Sequence, residues 1–213
     1  MDALLWSDYL CPWCYVGLDR SALLRRLGVR ITALPFELHP EIPPEGLSLR
    51  ERWGAQYAEA DAMYRRIAEE CAAAGLAFRR PERVPNTRRA LETAELVRQR
   101  WPDAFDALDR ALFTAHFVAG RALGDPDVLD DLVAGAGADA VEVRRAVDAG
   151  EAGGAVEASM AAAEQVGVTG TPAWLLDGRF VLPGAQPHDV IERTVARLRD
   201  RPASRGARQP GGE

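Results

Sequence analysis

Two cysteines separated by two residues, Cys11 and Cys14, are the side chains of this chain best suited to chemistry. They follow a short apolar strand, Leu4-Leu5-Trp6, and open a helix predicted over about 15–27. Positions i and i+3 on the first turn of a helix lie on one face, so the two sulfurs can close into a disulfide or open into a dithiol. This spacing is typical of a thiol–disulfide exchange enzyme.

The position of Cys11 favours its ionised form. The residue falls at the predicted N-cap, where unpaired N–H groups and the positive end of the helix dipole favour a negative charge. Pro12 follows at the first helical position, where its missing N–H costs nothing. Because the thiolate is the nucleophile in exchange, we expect Cys11 to attack. Cys14 lies one turn further and is expected to be more buried and to resolve the mixed disulfide.

A zinc site and a chance spacing are the alternatives for the two cysteines. Structural zinc takes four ligands at short, regular spacings. The remaining candidates, Cys71, His39, His116 and His188, are scattered along the chain without such spacing. The sequence therefore predicts redox chemistry and no metal site, and it favours structural roles for His39 and His116.

Composition bounds the class of protein. The chain has 213 residues, 47% of them hydrophobic, which suits one globular domain or one domain with an insertion. The net charge of −6 argues against binding to nucleic acid, and no apolar stretch is long enough to span a membrane. The start, Met1-Asp2-Ala3, shows no basic leader. We therefore expect a cytoplasmic protein, in which a structural disulfide is rare.

All 26 basic residues are Arg, so no lysine can form a Schiff base.

The order of predicted elements is β–α–β, then helices, then β–β–α. This order predicts an α/β fold with a four-stranded β–α–β / β–β–α core and a large all-helical insertion. The core is expected to be discontinuous, over 1–40 and 166–200. The insertion covers 41–165. The segment 201–213, rich in Pro, Gly and Arg, is expected to be a disordered tail.

The insertion carries clear helix signals. Ser48 and Glu51 form a capping box, and the helix that follows bears an apolar stripe that ends at Cys71. That position predicts an inert core thiol. Asn86 is interpreted as a helix cap, and Asp125-Pro126 as a helix start.

The second half of the predicted site lies near the end of the chain. Thr171-Pro172 opens a strand, and we predict a cis bond there, with Thr171 and Pro172 binding the substrate chain. Asp177-Gly178 indicates a tight hairpin turn after that strand. Trp13, between the cysteines, is a candidate substrate contact or only a filler. Asp8 either tunes the pKa of Cys11 or is a solvated surface carboxylate.

Six segments together resemble the DsbA family of thioredoxin-fold disulfide oxidoreductases, in its cytoplasmic FrnE-like branch. In chain order they are SDYLCPWCYVG (7–17), FELHP (36–40), PNT (85–87), FTAHF (113–117), GVTGTP (167–172) and GAQ (184–186). The resemblance implies a thioredoxin core with a helical insertion, a cis Pro172 beside the dithiol, and Cys11 as nucleophile. Gln186 and Pro12 are supporting candidates.

Relatives in the same superfamily keep a second function open. Isomerases of 2-hydroxychromene-2-carboxylate and kappa-class glutathione transferases typically carry a serine where this chain has Cys11. The predicted function is therefore dithiol–disulfide exchange on protein substrates. It needs no cofactor beyond the redox-active pair Cys11 and Cys14.

Three further points stay open at this stage. The strand after Pro172 and the turn at 184–186 can hold glutathione or another low-molecular-weight thiol, which keeps the isomerase or transferase alternative open. A redox sensor or holdase is the non-enzyme alternative. Thiol- or disulfide-containing proteins and small thiols are the expected partners, without nucleic acid or membrane, for a monomer or a homodimer.

Overall fold

The computed structural model describes residues 1–200, so the predicted disordered tail, 201–213, lies outside the described residues. In chain order the elements are β1 (Asp2–Ser7), α1 (Pro12–Arg26), β2 (Arg30–Pro35), β3 (Leu47–Ser48), α2 (Leu49–Trp53), α3 (Tyr57–Ala73), β4 (Arg83–Val84), α4 (Arg88–Arg100), α5 (Pro102–Thr114), α6 (Pro126–Gly135), α7 (Ala140–Asp148), α8 (Gly153–Gln165), β5 (Ala173–Leu176), β6 (Phe180–Pro183) and α9 (His188–Asp200). Short 3₁₀ and π segments, Gly54–Gln56 and Ala115–Ala119, adjoin α2 and α5.

The two ends of the described chain share one four-stranded sheet, in the order β2-β1-β5-β6. β1 pairs in parallel with β2 across the α1 crossover and antiparallel with β5. β5 and β6 form the predicted hairpin, whose turn residues Asp177 and Gly178 both have positive φ, as a type I′ turn requires. The predicted α/β fold class is confirmed.

Side chains alternate between the two faces of the sheet. On one face Trp174 and Leu176 pack with Leu24 of α1 and Ile191 of α9. On the other face Trp6, Ala173 and Leu175 pack against α8. All four residues of β5 are buried, because this inner strand is covered on both sides.

The helical insertion is present between β2 and β5, and one feature of it was not predicted. β3 and β4 pair as a small antiparallel ribbon, with Leu47 opposite Val84. The guanidinium of Arg83 also donates to the carbonyls of Glu45 and Gly46, which holds the turn that enters β3. Strands of two residues are too short to show the alternation that would predict them. The boundaries at 40 and 166 stay a prediction.

The predicted capping box exists, but the helix that it opens is shorter than expected. Ser48 Oγ accepts from the Glu51 N–H, and the Glu51 carboxylate accepts from the Ser48 N–H. Gly54 then ends α2 with φ +49°, and α3 begins only at Tyr57. The apolar stripe continues on α3 to Cys71, which is fully buried as predicted.

Aromatic side chains join α1 to the insertion. The ring of Tyr15 stacks on Phe117 at 5.3 Å between centroids and lies 6.1 Å from Phe113. Its hydroxyl donates to the Ala77 carbonyl at 2.6 Å. Cys11 and Cys14 belong to this same buried cluster. The dithiol therefore lies where the sheet-forming part of the chain meets the inserted helices.

Candidate active site

Cys11 is the N-cap residue of α1, as predicted, with extended backbone angles. Its carbonyl accepts hydrogen bonds from the N–H groups of Cys14 and Tyr15, at 3.0 and 3.3 Å. Pro12 occupies the first helical position, and the first turn contains no acidic residue. A negative charge on the Cys11 sulfur therefore lies at the positive end of the helix dipole and meets no opposing carboxylate in that turn.

The Thr171–Pro172 bond is cis, as predicted. The Thr171 carbonyl accepts a hydrogen bond from Cys11 Sγ at 3.5 Å. The Pro172 carbonyl accepts from the Gly184 N–H at 2.7 Å, which ties the turn after β6 to this segment. Thr171 Oγ1 is buried without a hydrogen-bond partner among residues 1–200. The segment that leads into β5 is thus brought directly against the Cys11 sulfur.

Gly17, one turn beyond Cys14, lets α1 approach the start of β5 closely. A Cβ atom at this position would lie 3.4 Å from the Trp174 ring and 3.6 Å from the Pro172 ring. Pro172 and Cys14 line the same cavity. The proline ring is therefore placed beside Cys14 by close packing between the helix and the strand.

The two thiols differ in hydrogen bonding rather than in burial. The expectation that Cys14 is the more buried one is wrong, since the residues are 3% and 4% exposed for Cys14 and Cys11. Both take part in the helix turn that closes over them, which excludes solvent from each. The pKa of Cys11 is lowered, mainly because the Cys14 thiol donates to its sulfur, although burial opposes that shift. The pKa of Cys14 is raised well above its usual value, mainly by burial and by the adjacent Cys11 sulfur.

Asp8 is fully buried, so the interpretation as a solvated surface carboxylate is wrong. Its two oxygens accept from the Leu10 N–H at 3.3 Å, the Leu38 N–H at 2.8 Å and Thr87 Oγ1 at 2.7 Å. Burial raises the pKa of Asp8 to about 6, although the three donors oppose that shift. Its charge also acts on the thiol, because a carboxylate here raises the pKa of Cys11.

Trp13 is half-buried beside the dithiol, and the guanidinium of Arg66 lies 5.5 Å from its ring. Together with Ala185 and Pro187 these side chains line a surface groove of about 360 Å³. Gln186 follows in the same turn, but its side chain donates to the Pro183 carbonyl. That contact gives Gln186 a loop-holding role and does not bring its amide to the sulfurs.

The other candidate ligands are dispersed. Burial raises the pKa of the Cys71 thiol to about 11 and lowers the pKa of His116 to about 4, so both are neutral. His39 pairs with Glu41, and His188 with Asp19. Within residues 1–200 no three His, Cys, Asp or Glu side chains are grouped so that they could hold a metal ion.

Three residues near the dithiol were not predicted from the sequence. Ser7, the last residue of β1, hydrogen-bonds to the Cys14 thiol. Thr87 donates to Asp8, and Asp109 on α5 shares a cavity with Cys14. The only sequence signal for them is the position of Ser7 just before the loop to Cys11. The other two come from the insertion, where nothing in the local pattern predicts an approach to the site.

Comparisons with known proteins agree with this arrangement. The sequence profile of the DSBA-like thioredoxin domain matches residues 4–196. A probable DsbA oxidoreductase from Streptomyces coelicolor is 30% identical, with a TM-score of 0.87 over 97% of this chain and 93% of the other.

Two more distant structures share the fold. A 2-hydroxychromene-2-carboxylate isomerase has a TM-score of 0.74 and 18% identity, over 93% of this chain and 96% of its own. The cytosolic disulfide reductase DsbM from Pseudomonas aeruginosa, solved with GSH, has a TM-score of 0.68 and 20% identity, over 93% and 100%. With the profile match over nearly the whole chain, these likenesses agree with one assignment: the chain belongs to the family of DSBA-like thioredoxin domains.

Proposed function

We propose that this protein is a dithiol–disulfide oxidoreductase that acts on protein substrates through Cys11 and Cys14. The observation that carries the proposal is the contrast between the two thiols. Cys11 lies at a helix N-cap with a lowered pKa, and Cys14, one turn away, has a raised pKa. Exchange chemistry requires one thiolate that attacks and a second thiol that stays protonated until the mixed disulfide has formed.

The exchange runs in two steps. The Cys11 thiolate attacks a substrate disulfide, forms a mixed disulfide and expels one substrate sulfur as a thiolate. Cys14 then loses its proton and attacks Cys11 Sγ, which forms the Cys11–Cys14 disulfide and releases the second substrate thiolate. The substrate is reduced by two electrons and the protein is oxidised by two; the reverse sequence oxidises a substrate dithiol.

The surroundings of the dithiol support binding of an extended segment. The groove beside Trp13 is partly apolar and ends at the turn that the Pro172 carbonyl holds. The Thr171 carbonyl lies within hydrogen-bond distance of Cys11 Sγ, at 3.5 Å. A cytoplasmic location is part of the proposal, and the cytosolic reductase DsbM among the fold neighbours is compatible with it. No helix within residues 1–200 is long and apolar enough to cross a membrane.

Reduction of insulin with glutathione as electron donor tests the proposal. Cys11→Ser is expected to abolish turnover, because the attacking thiolate is gone. Cys14→Ser is expected to accumulate mixed disulfides with insulin or glutathione, which non-reducing gels and mass spectrometry detect. Trapping by Cys11→Ser, with none by Cys14→Ser, would reverse the two roles. Full binding without turnover would favour the sensor or holdase.

Cys71 provides the matched control for these variants. It is the third cysteine of the chain, and it is fully buried on α3. Cys71→Ala is expected to leave the insulin rate within about twofold of the wild type. A large loss would mean that the thiol chemistry is not confined to the Cys11–Cys14 pair.

A glutathione-dependent isomerase or transferase is the second candidate, favoured by the fold of the 2-hydroxychromene-2-carboxylate isomerase. The Cys11–Cys14 pair is less suited to it than to disulfide exchange, because in its oxidised form a bound thiolate can attack Cys11 Sγ, which breaks the Cys11–Cys14 bond, releases the Cys14 thiolate and forms a mixed disulfide. Isomerisation of 2-hydroxychromene-2-carboxylate in the presence of glutathione, at a rate that Cys14→Ser does not alter, would favour this candidate.

A further inference from the structure

A cavity of about 310 Å³ reaches Cys14 between α1, the sheet and helix α5 of the insertion. Ser7 and Pro172 line it beside the thiol. Arg25 and Asp106 line it further out, where they form an ion pair with side chains 46% and 79% exposed. The cavity therefore extends from the buried sulfur to the solvent. A space of this size with polar walls can hold several water molecules.

Asp109 presents its carboxyl group to this cavity. Oδ1 accepts one hydrogen bond, from the Tyr9 hydroxyl at 3.1 Å. Within residues 1–200 the Asp109 carboxyl forms no ion pair, which leaves most of its accepting capacity unused. Asp109 is half-buried, so a carboxyl group with one protein donor here can also bind cavity water or take a proton.

The Cys14 thiol must lose a proton before it can resolve a mixed disulfide, since only the thiolate attacks. Burial holds that proton on the sulfur at neutral pH. The Ser7 hydroxyl is in hydrogen-bond contact with Cys14 and lines the same cavity as Asp109. A hydroxyl both donates and accepts, so Ser7 can pass a proton from the sulfur toward the cavity.

We propose that Asp109 accepts the proton of Cys14, through the Ser7 hydroxyl and cavity water, when Cys14 resolves the mixed disulfide. The inference rests on the proposed function. In this step the Cys14 S–H bond breaks and its proton goes to Asp109. The Cys14–Cys11 S–S bond forms, the Cys11–substrate S–S bond breaks, and the substrate leaves as a thiolate. The carboxyl later returns the proton to solvent through the cavity mouth.

Charged groups from several elements face Asp109 and set its affinity for the proton. Burial raises its pKa to about 6, and the Tyr9 hydroxyl opposes that shift. The groups that act on it directly are Tyr9, Arg25 of α1, and Asp106 and Arg110 of α5. Glu95 and Arg98 of α4 line cavities with Asp109, and Asp8 acts on the Tyr9 hydroxyl that binds it. Above about pH 6 the carboxyl is ionised and can accept; below it the carboxyl is already protonated.

An aromatic disulfide with a coloured thiolate separates the two steps in one experiment. Mixed with the reduced protein, 5,5′-dithiobis(2-nitrobenzoate) releases one thiolate when Cys11 attacks and a second when Cys14 resolves. We expect the wild-type second phase to rise through about pH 6 and level off. Asp109→Asn should keep the first phase and slow the second at pH 7 by about tenfold or more, the lower range for a lost general base. It should also replace the inflection with a steady rise in rate with pH.

Asp106→Asn is the matched control, one helical turn earlier on α5 and exposed at the cavity mouth. Its second phase should stay within about twofold of the wild type. An unchanged second phase in Asp109→Asn, or equal slowing of both phases, would overturn the inference. A wild-type second phase without a rise near pH 6 would overturn it without any variant. Absence of the first phase would instead contradict the proposed function, because that phase reports Cys11 alone.

Discussion

Two carboxyl groups lie near the dithiol, and their surroundings differ: Asp8 is fully buried, whereas Asp109 is half-buried. Burial raises the pKa of both Asp8 and Asp109 to about 6. Asp8 accepts from three donors on three different segments, at Leu10, Leu38 and Thr87. Asp109 accepts from one, Tyr9, and faces a cavity.

This difference shows that a raised pKa alone does not indicate a chemical role. The donors around Asp8 hold the loop before Cys11 to the loop after β2 and to the start of α4, so the carboxylate acts as a structural junction. The free side of Asp109 leaves it able to exchange a proton. Hydrogen-bond saturation, rather than the pKa, distinguishes the two groups.

The largest expected effect is the loss of protein stability when Asp8 is replaced. Asp8→Ala leaves two backbone N–H groups and the Thr87 hydroxyl buried without an acceptor. Each such group costs about 1–3 kcal/mol, so the free energy of unfolding at pH 7 should fall by about 3 kcal/mol or more. Asp109→Ala, which orphans only the Tyr9 hydroxyl, should change it by about 1 kcal/mol. Urea titrations measure both values, and equal losses would mean that the two carboxyls have the same role.

The pH dependence of stability should also separate the native protein from Asp109→Asn. The carboxyl of Asp109 titrates near 3.8 when unfolded and at about 6 when folded. Between these values the folded state binds more protons at Asp109 than the unfolded state does. The contribution of Asp109 to the free energy of unfolding is therefore fully present below pH 3.8 and is lost as the pH rises to about 6. Two pKa units correspond to about 3 kcal/mol at most, and partial contact with the cavity reduces this to about 2 kcal/mol.

Urea titrations at pH 4, 5, 6 and 7 measure this dependence. Asp109→Asn should flatten the curve between pH 4 and 6 relative to the wild type, because the titrating group is removed. Asp106→Asn, on the exposed side of the same helix, should leave the curve nearly unchanged. The contribution of Asp109 is the difference between the wild-type and Asp109→Asn curves. If that difference increased in favour of the wild type between pH 4 and 6, the raised pKa of Asp109 would be contradicted.

Thr87 should matter less than Asp8, because it supplies one of three bonds. Thr87→Val keeps the shape of the side chain but removes the donor at 2.7 Å from Asp8. A hydrogen bond to a charged group contributes about 1.5–3 kcal/mol, so a loss near 1.5 kcal/mol in the free energy of unfolding is expected. Thr114→Val, whose exposed hydroxyl donates to a helix carbonyl, is the control and should change stability by less than about 0.5 kcal/mol. Equal losses in Thr87→Val and Thr114→Val would show that the Thr87 hydroxyl does not stabilise the junction at Asp8.

Sequence patterns predicted the dithiol and the sheet because both depend on local signals. Cys11-Pro12 marks a helix start, and Asp177-Gly178 marks a hairpin, within a few residues each. The burial of Asp8 was missed because it is created by Leu38 and Thr87, which are 30 and 79 residues away. Asp109 was missed for the same reason: on α5 it has the pattern of an ordinary polar helix residue. Long-range packing of the insertion, rather than local propensity, places these two carboxyls.

The smallest expected effect is at Tyr9, which within residues 1–200 is the one donor to the Asp109 carboxyl. Tyr9→Phe keeps the ring against Phe113, with which it makes an edge contact at 4.9 Å, but removes the hydroxyl. The partly buried hydrogen bond between Tyr9 and Asp109 contributes about 1 kcal/mol or less, so the free energy of unfolding should fall by that amount. The Tyr9 hydroxyl lowers the pKa of Asp109, so its loss should move the pKa upward. The pH at which the second thiolate phase rises should then lie above its wild-type value while the rise itself persists. A midpoint that stays fixed, or moves down, would show that Tyr9 does not govern the proton affinity of Asp109.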